Sequence, residues 1–181
     1  SSASAFDPDD LQKLKDTNEC NSCNLNGANL RDADLGGADL SGANLEDANL
    51  SNANLESANL NGANLRDANL GDANLYDANL GDAFMDAAFL NDADLSGADL
   101  SGANLNDGTM NRAYLRGAYL SGAYLRHAEL AGANLMETDL SGAYLVGANL
   151  EDANLEGADL SSADLGFAYL ESANLNGANL R

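Results

Sequence analysis

The sequence has no tryptophan, one proline and one histidine, and it carries 8 basic residues against 29 acidic ones among its 181 residues. This shortage of lysine and arginine excludes the basic surface that attraction to nucleic-acid phosphates requires, so we predict no direct nucleic-acid binding. No apolar run approaches the roughly 20 residues of a membrane-spanning helix, so we also predict no membrane insertion. The scarcity of aromatic residues argues against an ordinary globular core, which interlocks many large side-chain shapes.

A five-residue repeat runs from residue 21 to residue 180 without an insertion or deletion, which gives 32 repeats. Each repeat ends on leucine, or on methionine in two of them, and the residue two before it is alanine in all but three. The residue between these two is asparagine or aspartate in 23 of the 32 repeats. The exceptions to leucine and alanine are Met85, Met110, Cys23, Gly108 and Thr138. One small packing unit is therefore used many times, as in a solenoid.

The five-residue period excludes an α-helix and favours an extended side followed by a turn. At about 100° per residue, a five-residue step rotates each leucine by about 140° from the last, so no apolar stripe forms. In an extended segment, residues two apart face the same side, so alanine and leucine point inward together and the residue between them points outward. The two residues after leucine are rich in Gly, Asp, Ser and Asn, which are typical of tight turns.

The predicted corners show a second period, of twenty residues. One column of corner pairs is small and nearly uncharged, whereas the other three columns carry many charges. The pairs of this column are Ser41-Gly42, Asn61-Gly62, Gly81-Asp82, Ser101-Gly102, Ser121-Gly122, Ser141-Gly142 and Ser161-Ser162. Four repeats therefore close one coil, and we predict a rod of about eight four-sided coils, about 40 Å long.

The repeat pattern A-(N/D)-L-x-x, as in Ala28-Asn29-Leu30, resembles the pentapeptide-repeat proteins from about Cys23 to Leu180. The resemblance covers nearly the whole chain and implies an all-β fold, a right-handed quadrilateral β-helix. It also implies that the leucine and the small residue two before it fill the interior. The inward and outward assignment agrees with the periodicity, whereas the right hand comes from the resemblance.

A short N-terminal α-helix is predicted to cap the first coil. Asp7 suits the N-cap and Pro8 the first helical position, and acidic residues follow at the positive end of the helix dipole. Phe6 and Leu11 occupy the two positions of a hydrophobic staple. We predict a helix from about Pro8 to Lys15, packed on the open end of the solenoid.

The chain is predicted to have three segments. Residues 1–5 form a disordered tail, residues 6–19 form the capping helix and its connector, and residues 20–181 form the pentapeptide-repeat solenoid. Ala3-Ser4-Ala5 resembles the A-x-A end of a signal peptide, which predicts export to a periplasm or thylakoid lumen. A cytoplasmic location is the alternative.

Two cysteines stand where the cap meets the first coil. Cys20 takes a leucine position and Cys23 an alanine position, so both side chains are predicted to point inward. Two interpretations stay open: a disulfide that staples the cap, or a pair of buried free thiols. Zinc needs about four ligands, and redox catalysis favours a βαβ context, neither of which the sequence offers. Related cyanobacterial and plant-plastid repeat proteins resemble this helix-then-cysteine opening, which also implies export.

Residues 111–127 break the polar pattern of the outward positions. Three tyrosines replace Asn or Asp there, arginines occupy adjoining corners, and a fourth tyrosine stands twenty residues beyond one of the three. The members of this Tyr/Arg band are Arg112, Tyr114, Arg116, Tyr119, Tyr124, Arg126, His127 and Tyr144. Tyrosine and arginine are enriched in protein-binding hot spots, so the band is a candidate surface for an unidentified protein partner. The alternative is that wide rings cover the rod where neighbouring coils lack polar ladders.

No set of residues in the sequence forms a catalytic constellation. His127 follows Asp107 in the same column, which predicts an exposed His–Asp pair, but no nucleophile accompanies it. Calcium-repeat and EF-hand motifs are absent. We therefore predict that the protein is not an enzyme and uses no cofactor and no metal.

Two functions are compatible with these features. The first is a non-catalytic rigid scaffold or protein-interaction module. The second is a DNA-mimicking inhibitor or protector of a type II topoisomerase (gyrase), because some proteins of the resembled family bind gyrase in place of DNA. The net charge of −21 fits that second function, but the C-terminal dimerisation helix and projecting loops of those members are absent. No capping helix follows Leu180, so end-to-end homodimerisation through the last coil is also predicted.

Overall fold

The computed structural model describes residues 5–181, so the predicted tail lies outside the described residues apart from Ala5. One α-helix, α1 (Pro8–Thr17), precedes a stack of coils. Within residues 5–181 no strand is longer than a single bridging residue. Each side of a coil contributes one such residue, which pairs in parallel with the residue twenty positions later. The pairs run from Glu19–Asp39 to Asp159–Asn179 and confirm a right-handed quadrilateral β-helix with four repeats per coil.

Every corner of the rod is a tight turn whose second residue has a positive φ. At the corner between Leu25 and Ala28, for example, the Ala28 N–H donates to the Leu25 carbonyl at 3.0 Å, and Gly27 has a φ of 67°. A positive φ at the third of four turn residues is the signature of a type II turn. Glycine, asparagine and aspartate tolerate this conformation best, which explains the composition of the second corner position.

Hydrogen bonds between consecutive coils satisfy the backbone. The Leu25 N–H donates to the Asn44 carbonyl at 2.7 Å, and the Asn44 N–H donates back to the Cys23 carbonyl at 2.8 Å. The corner joins in as well, since the Gly27 N–H donates to the Glu46 carbonyl at 2.7 Å. The same three bonds recur around each coil, so the polar groups of a backbone that encloses an apolar core are paired.

Alanine and leucine side chains fill the interior, as predicted. They are buried almost without exception from Leu25 to Leu160, and Met85 and Met110 are buried in the same way. Each buried leucine contributes roughly 2 kcal/mol relative to an exposed one. The last coil has no further coil above its interior in the described residues, and its apolar side chains are only partly buried.

The outward Asn and Asp residues stabilise the corners that follow them. The Ser41 N–H, for example, donates to Asp39 Oδ1 at 3.0 Å, so the carboxylate satisfies the first corner residue. The Asn59 side-chain amide donates to the same oxygen from the next coil at 3.2 Å. Many of these residues accept the N–H of the following corner, and some, such as Asp39, also bond to a neighbouring coil, which explains why 23 of 32 repeats carry Asn or Asp there.

Helix α1 covers the first coil with one buried leucine. Asp7 caps its first turn, as predicted, and Leu14 is fully buried against the interior of the solenoid. The helix continues to Thr17, two residues beyond the predicted end at Lys15. It ends there because Asn18 adopts a left-handed conformation with φ 57°, and its N–H donates to the Leu14 carbonyl at 2.9 Å.

A disulfide joins Cys20 and Cys23 beneath α1, with the two Cα atoms 5.2 Å apart. Both side chains are buried and point into the core, as their register predicts. Of the two interpretations of this pair, the structure contains the disulfide. The bond closes the turn that connects the cap to the first coil.

Candidate interaction face

The four sides of the coils form four faces, and they divide the Tyr/Arg band. The outward tyrosines of residues 114, 119 and 124 are consecutive repeats, so they lie on three different faces. Only Tyr124 and Tyr144 share a face and pair directly across neighbouring coils. We call this side the first face; its outward residues are Asn24, Asn44, Asn64, Phe84, Asn104, Tyr124, Tyr144 and Asp164.

The first face carries three exposed aromatic side chains along one line. The rings of Tyr124 and Tyr144 stack with their centroids 5.0 Å apart and their planes 8° from parallel. Phe84 lies on the same line two coils earlier, and each of the three is between 44% and 48% exposed. We call these three residues the aromatic stripe. Phe84 lies outside the Tyr/Arg band, although its twenty-residue spacing from Asn104 places it in line with both tyrosines.

The aromatic stripe occupies outward positions at which asparagine would stabilise the hydrogen-bonded backbone of the coils, which we call the frame. With Tyr124 in place of Asn, the first corner residue Arg126 has no side-chain amide oxygen two residues before it. Its N–H donates instead to Asn106 Oδ1, from the corner of the preceding coil, at 2.9 Å. Asn91 accepts an equivalent bond from the Asn111 N–H, in the corner that follows Thr109. Asn111 in turn accepts one from the Ala131 N–H, in the corner that follows Glu129. An asparagine one coil earlier therefore compensates for the lost bond.

Two arginines of the Tyr/Arg band are held in ion pairs. Arg112 makes two hydrogen bonds to the Asp92 carboxylate, at 2.9 and 2.6 Å, and Arg116 lies 3.3 Å from Glu137. The bonds from Arg112 lower the pKa of Asp92 below its usual range. Both pairs are exposed to solvent and contribute little to stability. Their guanidinium groups are thus partly engaged within the rod.

Arg126 differs from the other two arginines of the band. Within residues 5–181 its guanidinium forms no ion pair, and its Nε donates to Nε2 of His127 at 3.3 Å. It borders a surface depression of about 440 Å³ that Asn106, Tyr124, Tyr144 and Val146 also line. A cation that lacks a carboxylate partner therefore lies beside the two stacked tyrosines.

His127 does not form the predicted pair with Asp107. Its ring lies toward the following coil, where a Cβ atom at Gly147 would be 2.6 Å from Nδ1. The reason is geometric: the second corner residue projects along the rod over the same position of the next coil. Asp82 lies over Gly102 in the same way. The predicted contact between His127 and Asp107 is therefore wrong, and His127 contacts Arg126 and the Gly147 backbone instead.

The described part of the chain offers no grouping typical of a metal centre. No cluster of three or more His, Cys, Asp or Glu side chains lies close enough in residues 5–181 to hold an ion. In the same residues, α1 is the one helix, and it is too short and too polar to cross a bilayer.

Comparison with known proteins identifies the repeat. Residues 19–62, 48–85, 73–112, 113–152 and 148–181 match the family model described as pentapeptide repeats. No curated protein sequence matches the chain. A trypsin-treated form of QnrB1, a plasmid-mediated fluoroquinolone resistance protein, superposes with a TM-score of 0.64 at 20% identity, covering 90% of this chain and 88% of its own. That likeness shows the fold.

Two further solved structures share more sequence and superpose less well. HetL, a pentapeptide repeat protein involved in heterocyst differentiation regulation in the cyanobacterium Nostoc sp. strain PCC 7120, is 29% identical over 92% of this chain and 95% of its own, with a TM-score of 0.45. A pentapeptide repeat protein of the Arabidopsis thaliana thylakoid lumen is 36% identical over 47% of this chain and 59% of its own, with a TM-score of 0.46.

Proposed function

This chain belongs to the pentapeptide-repeat family, and we propose that it acts as a rigid, non-catalytic module that binds a protein partner through its first face. The binding surface is the aromatic stripe together with the unpaired Arg126. Repeat solenoids hold such side chains at fixed spacings, because each coil is bonded to its neighbours along the whole rod.

One observation carries this proposal: the aromatic stripe occupies positions where the frame gains from asparagine. An outward asparagine holds the next corner N–H and bonds to neighbouring coils, whereas Phe84, Tyr124 and Tyr144 offer neither bond. Each forgone hydrogen bond is worth about 1 kcal/mol. Large rings left nearly half exposed at such positions contribute little to the hydrogen bonding of the coils, and they favour a role in binding at the surface.

Arg126 makes the first face suitable for a protein rather than for a purely apolar ligand. Tyrosine and arginine are the residues that dominate binding energy at protein interfaces, because both offer large apolar area together with hydrogen-bond donors. The stacked pair Tyr124 and Tyr144 presents a rigid surface, since the two rings support each other. The tyrosines at 114 and 119 lie alone on other faces, and their part in binding stays a prediction.

Site-specific photocrosslinking in the producing cells tests the proposal. The photoreactive residue p-benzoylphenylalanine would replace Tyr124 or Tyr144 in one set and Phe89 in the matched control set. Phe89 is a suitable control because it is an outward aromatic residue of similar exposure that lies on another face and outside the Tyr/Arg band. We expect one discrete crosslinked protein from positions 124 and 144, and none from 89. Equal crosslinking from all three positions, or none from any, contradicts binding through the first face.

Self-association through the last coil is a second proposed contact. Leu165, Leu170 and Leu175 are only partly buried there, and Leu180 is 58% exposed. Pairing two such ends would bury these leucines, each worth roughly 2 kcal/mol. Sedimentation of this chain between micromolar and millimolar concentration tests it, with Leu180→Asn as the variant expected to weaken association. A monomer across the whole range rules the contact out.

Export is the location we propose, with a periplasm or a thylakoid lumen as the compartment. The Cys20–Cys23 disulfide supports it, because disulfides persist in oxidising compartments and are rare in the cytosol. Alkylation during lysis under denaturing conditions, which expose the two buried cysteines, tests this: both should resist modification until a reductant is added. Free thiols at lysis would favour the cytoplasmic alternative.

Mimicry of DNA toward gyrase is the alternative function. The net charge of −21 on a narrow rod supports it, since clustered carboxylates can take the place of backbone phosphates. A supercoiling assay decides the matter: a DNA mimic should inhibit gyrase, or protect it from a quinolone, at micromolar concentration. Activity unchanged under both conditions removes this alternative.

A further inference from the structure

The aromatic stripe is interrupted by a slot over Asn104. Phe84, Asn104 and Tyr124 are consecutive residues of the first face, so a short side chain lies between two rings. Adjacent coils are about 4.8 Å apart, which places the two ring-bearing coils about 10 Å apart. The gap is a depression of about 330 Å³, and Asp82 and Asn106 stand on its two rims.

The width of the slot suits one flat group. A planar group placed above Asn104 would lie about 4.8 Å from the coil of each ring. The neighbouring Tyr124–Tyr144 stack has almost the same spacing, 5.0 Å between centroids. A guest in the slot would therefore extend an existing stack and join Phe84 to it. An aliphatic side chain would fill the volume without using the two ring faces.

The charge around the slot favours a cation. The Asp82 carboxylate lies over Gly102, where a Cβ atom would come within 2.5 Å of Oδ1, so the missing side chain of Gly102 leaves room for it. Within residues 5–181, Asp82 forms no ion pair. On the other side Asp86 already accepts bonds from Arg66 and from the Asn104 amide. One carboxylate at the rim is thus open to a positively charged guest.

The other side of Phe84 shows which cation such a site holds. Arg66 places its guanidinium carbon 4.9 Å from the Phe84 ring centroid while its Nε donates to Asp86 Oδ2 at 2.7 Å. A ring face and a carboxylate are combined again in the slot, but without an arginine of the chain. Guanidinium is planar and stacks on rings, whereas the ammonium of lysine is a strongly hydrated point charge.

We propose that the slot between Phe84 and Tyr124 binds an arginine side chain presented by the partner protein. Its guanidinium group stacks between the two rings above Asn104 and pairs with the Asp82 carboxylate. This inference rests on the proposed function, and it adds the chemical identity of the group that the partner inserts.

Titration of the isotope-labelled protein with a short peptide, followed by NMR, tests the proposal without knowledge of the partner. The probe is acetyl-Gly-Arg-Gly-amide, and the matched control peptide carries lysine in place of arginine. We expect saturable shifts of the Asn104 side-chain amide and of the Phe84 and Tyr124 rings. The lysine peptide should bind at least about threefold more weakly.

Three variants locate the binding, and a fourth serves as control. Phe84→Asn and Tyr124→Asn should each weaken arginine binding about tenfold, and Asp82→Asn about threefold. Phe89→Asn, on the neighbouring face, should leave the affinity unchanged. All four introduce asparagine; at 84, 89 and 124 it is the commonest outward residue of the repeats, and at Asp82, with φ 54°, asparagine also tolerates the left-handed conformation.

The possible outcomes separate this inference from the proposed function. Shifts spread along the acidic rod, or equal binding by wild type and Phe84→Asn, mean general attraction to negative charge and overturn the slot. If that occurs while Tyr144 still crosslinks a partner, the inference fails and the proposed function survives. If the arginine peptide binds in the slot but no first-face position crosslinks a protein, the slot stands and the proposed function fails.

Discussion

Coils two and three differ on their surface from the four coils that follow them. Between residues 41 and 80 all eight outward residues are asparagine, and each of them accepts the N–H of its following corner. Between residues 81 and 160 half of the sixteen outward residues are neither asparagine nor aspartate. The first region therefore shows the frame in its simplest form, and the second shows how far the surface can depart from it.

The two regions have nearly the same interior; its departures from alanine and leucine are Met85, Gly108, Met110 and Thr138, all in the second region. Alanine and leucine are buried equally in both, and the bonds between coils keep the same pattern and nearly the same lengths. In the second region, some of the lost side-chain bonds are supplied by corner asparagines of the preceding coil, as Asn106 does for Arg126. The comparison teaches that the backbone and core of this rod tolerate aromatic and charged outward residues. The surface can consequently specialise without a change of fold.

Removal of a core leucine from each region should give the largest effect and should be equal in both. Leu65→Ala and Leu125→Ala each leave a cavity in a lattice of alanine and leucine, and both leucines are fully buried. We expect each to lower the free energy of unfolding by about 3 kcal/mol, within the range of 2–5 for such substitutions. Urea unfolding monitored by circular dichroism measures both.

An unequal result would break the comparison. If Leu125→Ala costs less than half of Leu65→Ala, then the aromatic-bearing coils have a looser interior and the regions differ in more than their surface. Lys13→Ala, an exposed change within α1, serves as a control for the effect of a surface substitution. It should change the free energy of unfolding by no more than about 0.5 kcal/mol.

The coil and its four faces could be predicted because each repeat is five residues and each coil is twenty. In an unbroken solenoid, a residue number alone gives the face, so the alignment of Phe84 with Tyr124 is contained in the sequence. The buried disulfide positions followed from the register of Cys20 and Cys23 in the same way. A single insertion would have shifted every later residue to another face.

Features that depend on side-chain direction could not be read from this period. The sequence places His127 in one column with Asp107 and Gly147 but does not say toward which of them the ring projects. The bond from Arg126 to Asn106 was equally hidden, because it joins a corner to a corner of another coil. Helix α1 extends beyond its predicted end at Lys15 because the left-handed residue that terminates it is Asn18.

Loss of the compensating Asn106 should lower stability less than loss of a core leucine, and the size of its effect should depend on the residue at position 124. Asn106→Ala removes the acceptor of the Arg126 N–H, and we expect it to lower the free energy of unfolding by about 1 kcal/mol. In the Tyr124→Asn background the new side chain can accept that N–H, as Asn44 does for Glu46 at 3.3 Å. The cost of Asn106→Ala should then fall by at least half, as a double-mutant cycle of urea unfolding would measure.

An additive cycle would show that the corner asparagine does not replace the outward one. Asn176→Ala supplies the control, since Asn174 already accepts the N–H of residue 176 at 3.1 Å. In the described residues no donor is bonded to the Asn176 side chain, so this variant should lie within about 0.5 kcal/mol of wild type.

The smallest expected effect concerns acid, and its cause differs between Asp39, in the first coil, and Asp92, in the second region. Bonds from Ser41, first its hydroxyl and then its backbone N–H, lower the pKa of Asp39; bonds from Arg112 lower that of Asp92. A carboxyl whose pKa is lower when folded adds stability above its unfolded value, 3.8 for aspartate. That stability is lost as the pH falls through the folded pKa.

Substitution by asparagine should reduce the acid sensitivity at both positions, but salt should distinguish them. Asp39→Asn keeps an acceptor for the Ser41 N–H, so its stability at pH 7 should change little, and the loss between pH 4 and about pH 2.5 should shrink, with or without added salt. At Asp92 the cause is an exposed ion pair, which about 0.5 M sodium chloride screens. We expect the difference in acid sensitivity between the wild type and Asp92→Asn to become smaller in salt. Urea midpoints at each pH would measure it. A salt effect as large at Asp39 would mean that neighbouring charges, and not the corner hydrogen bonds, hold that carboxylate in its ionised form.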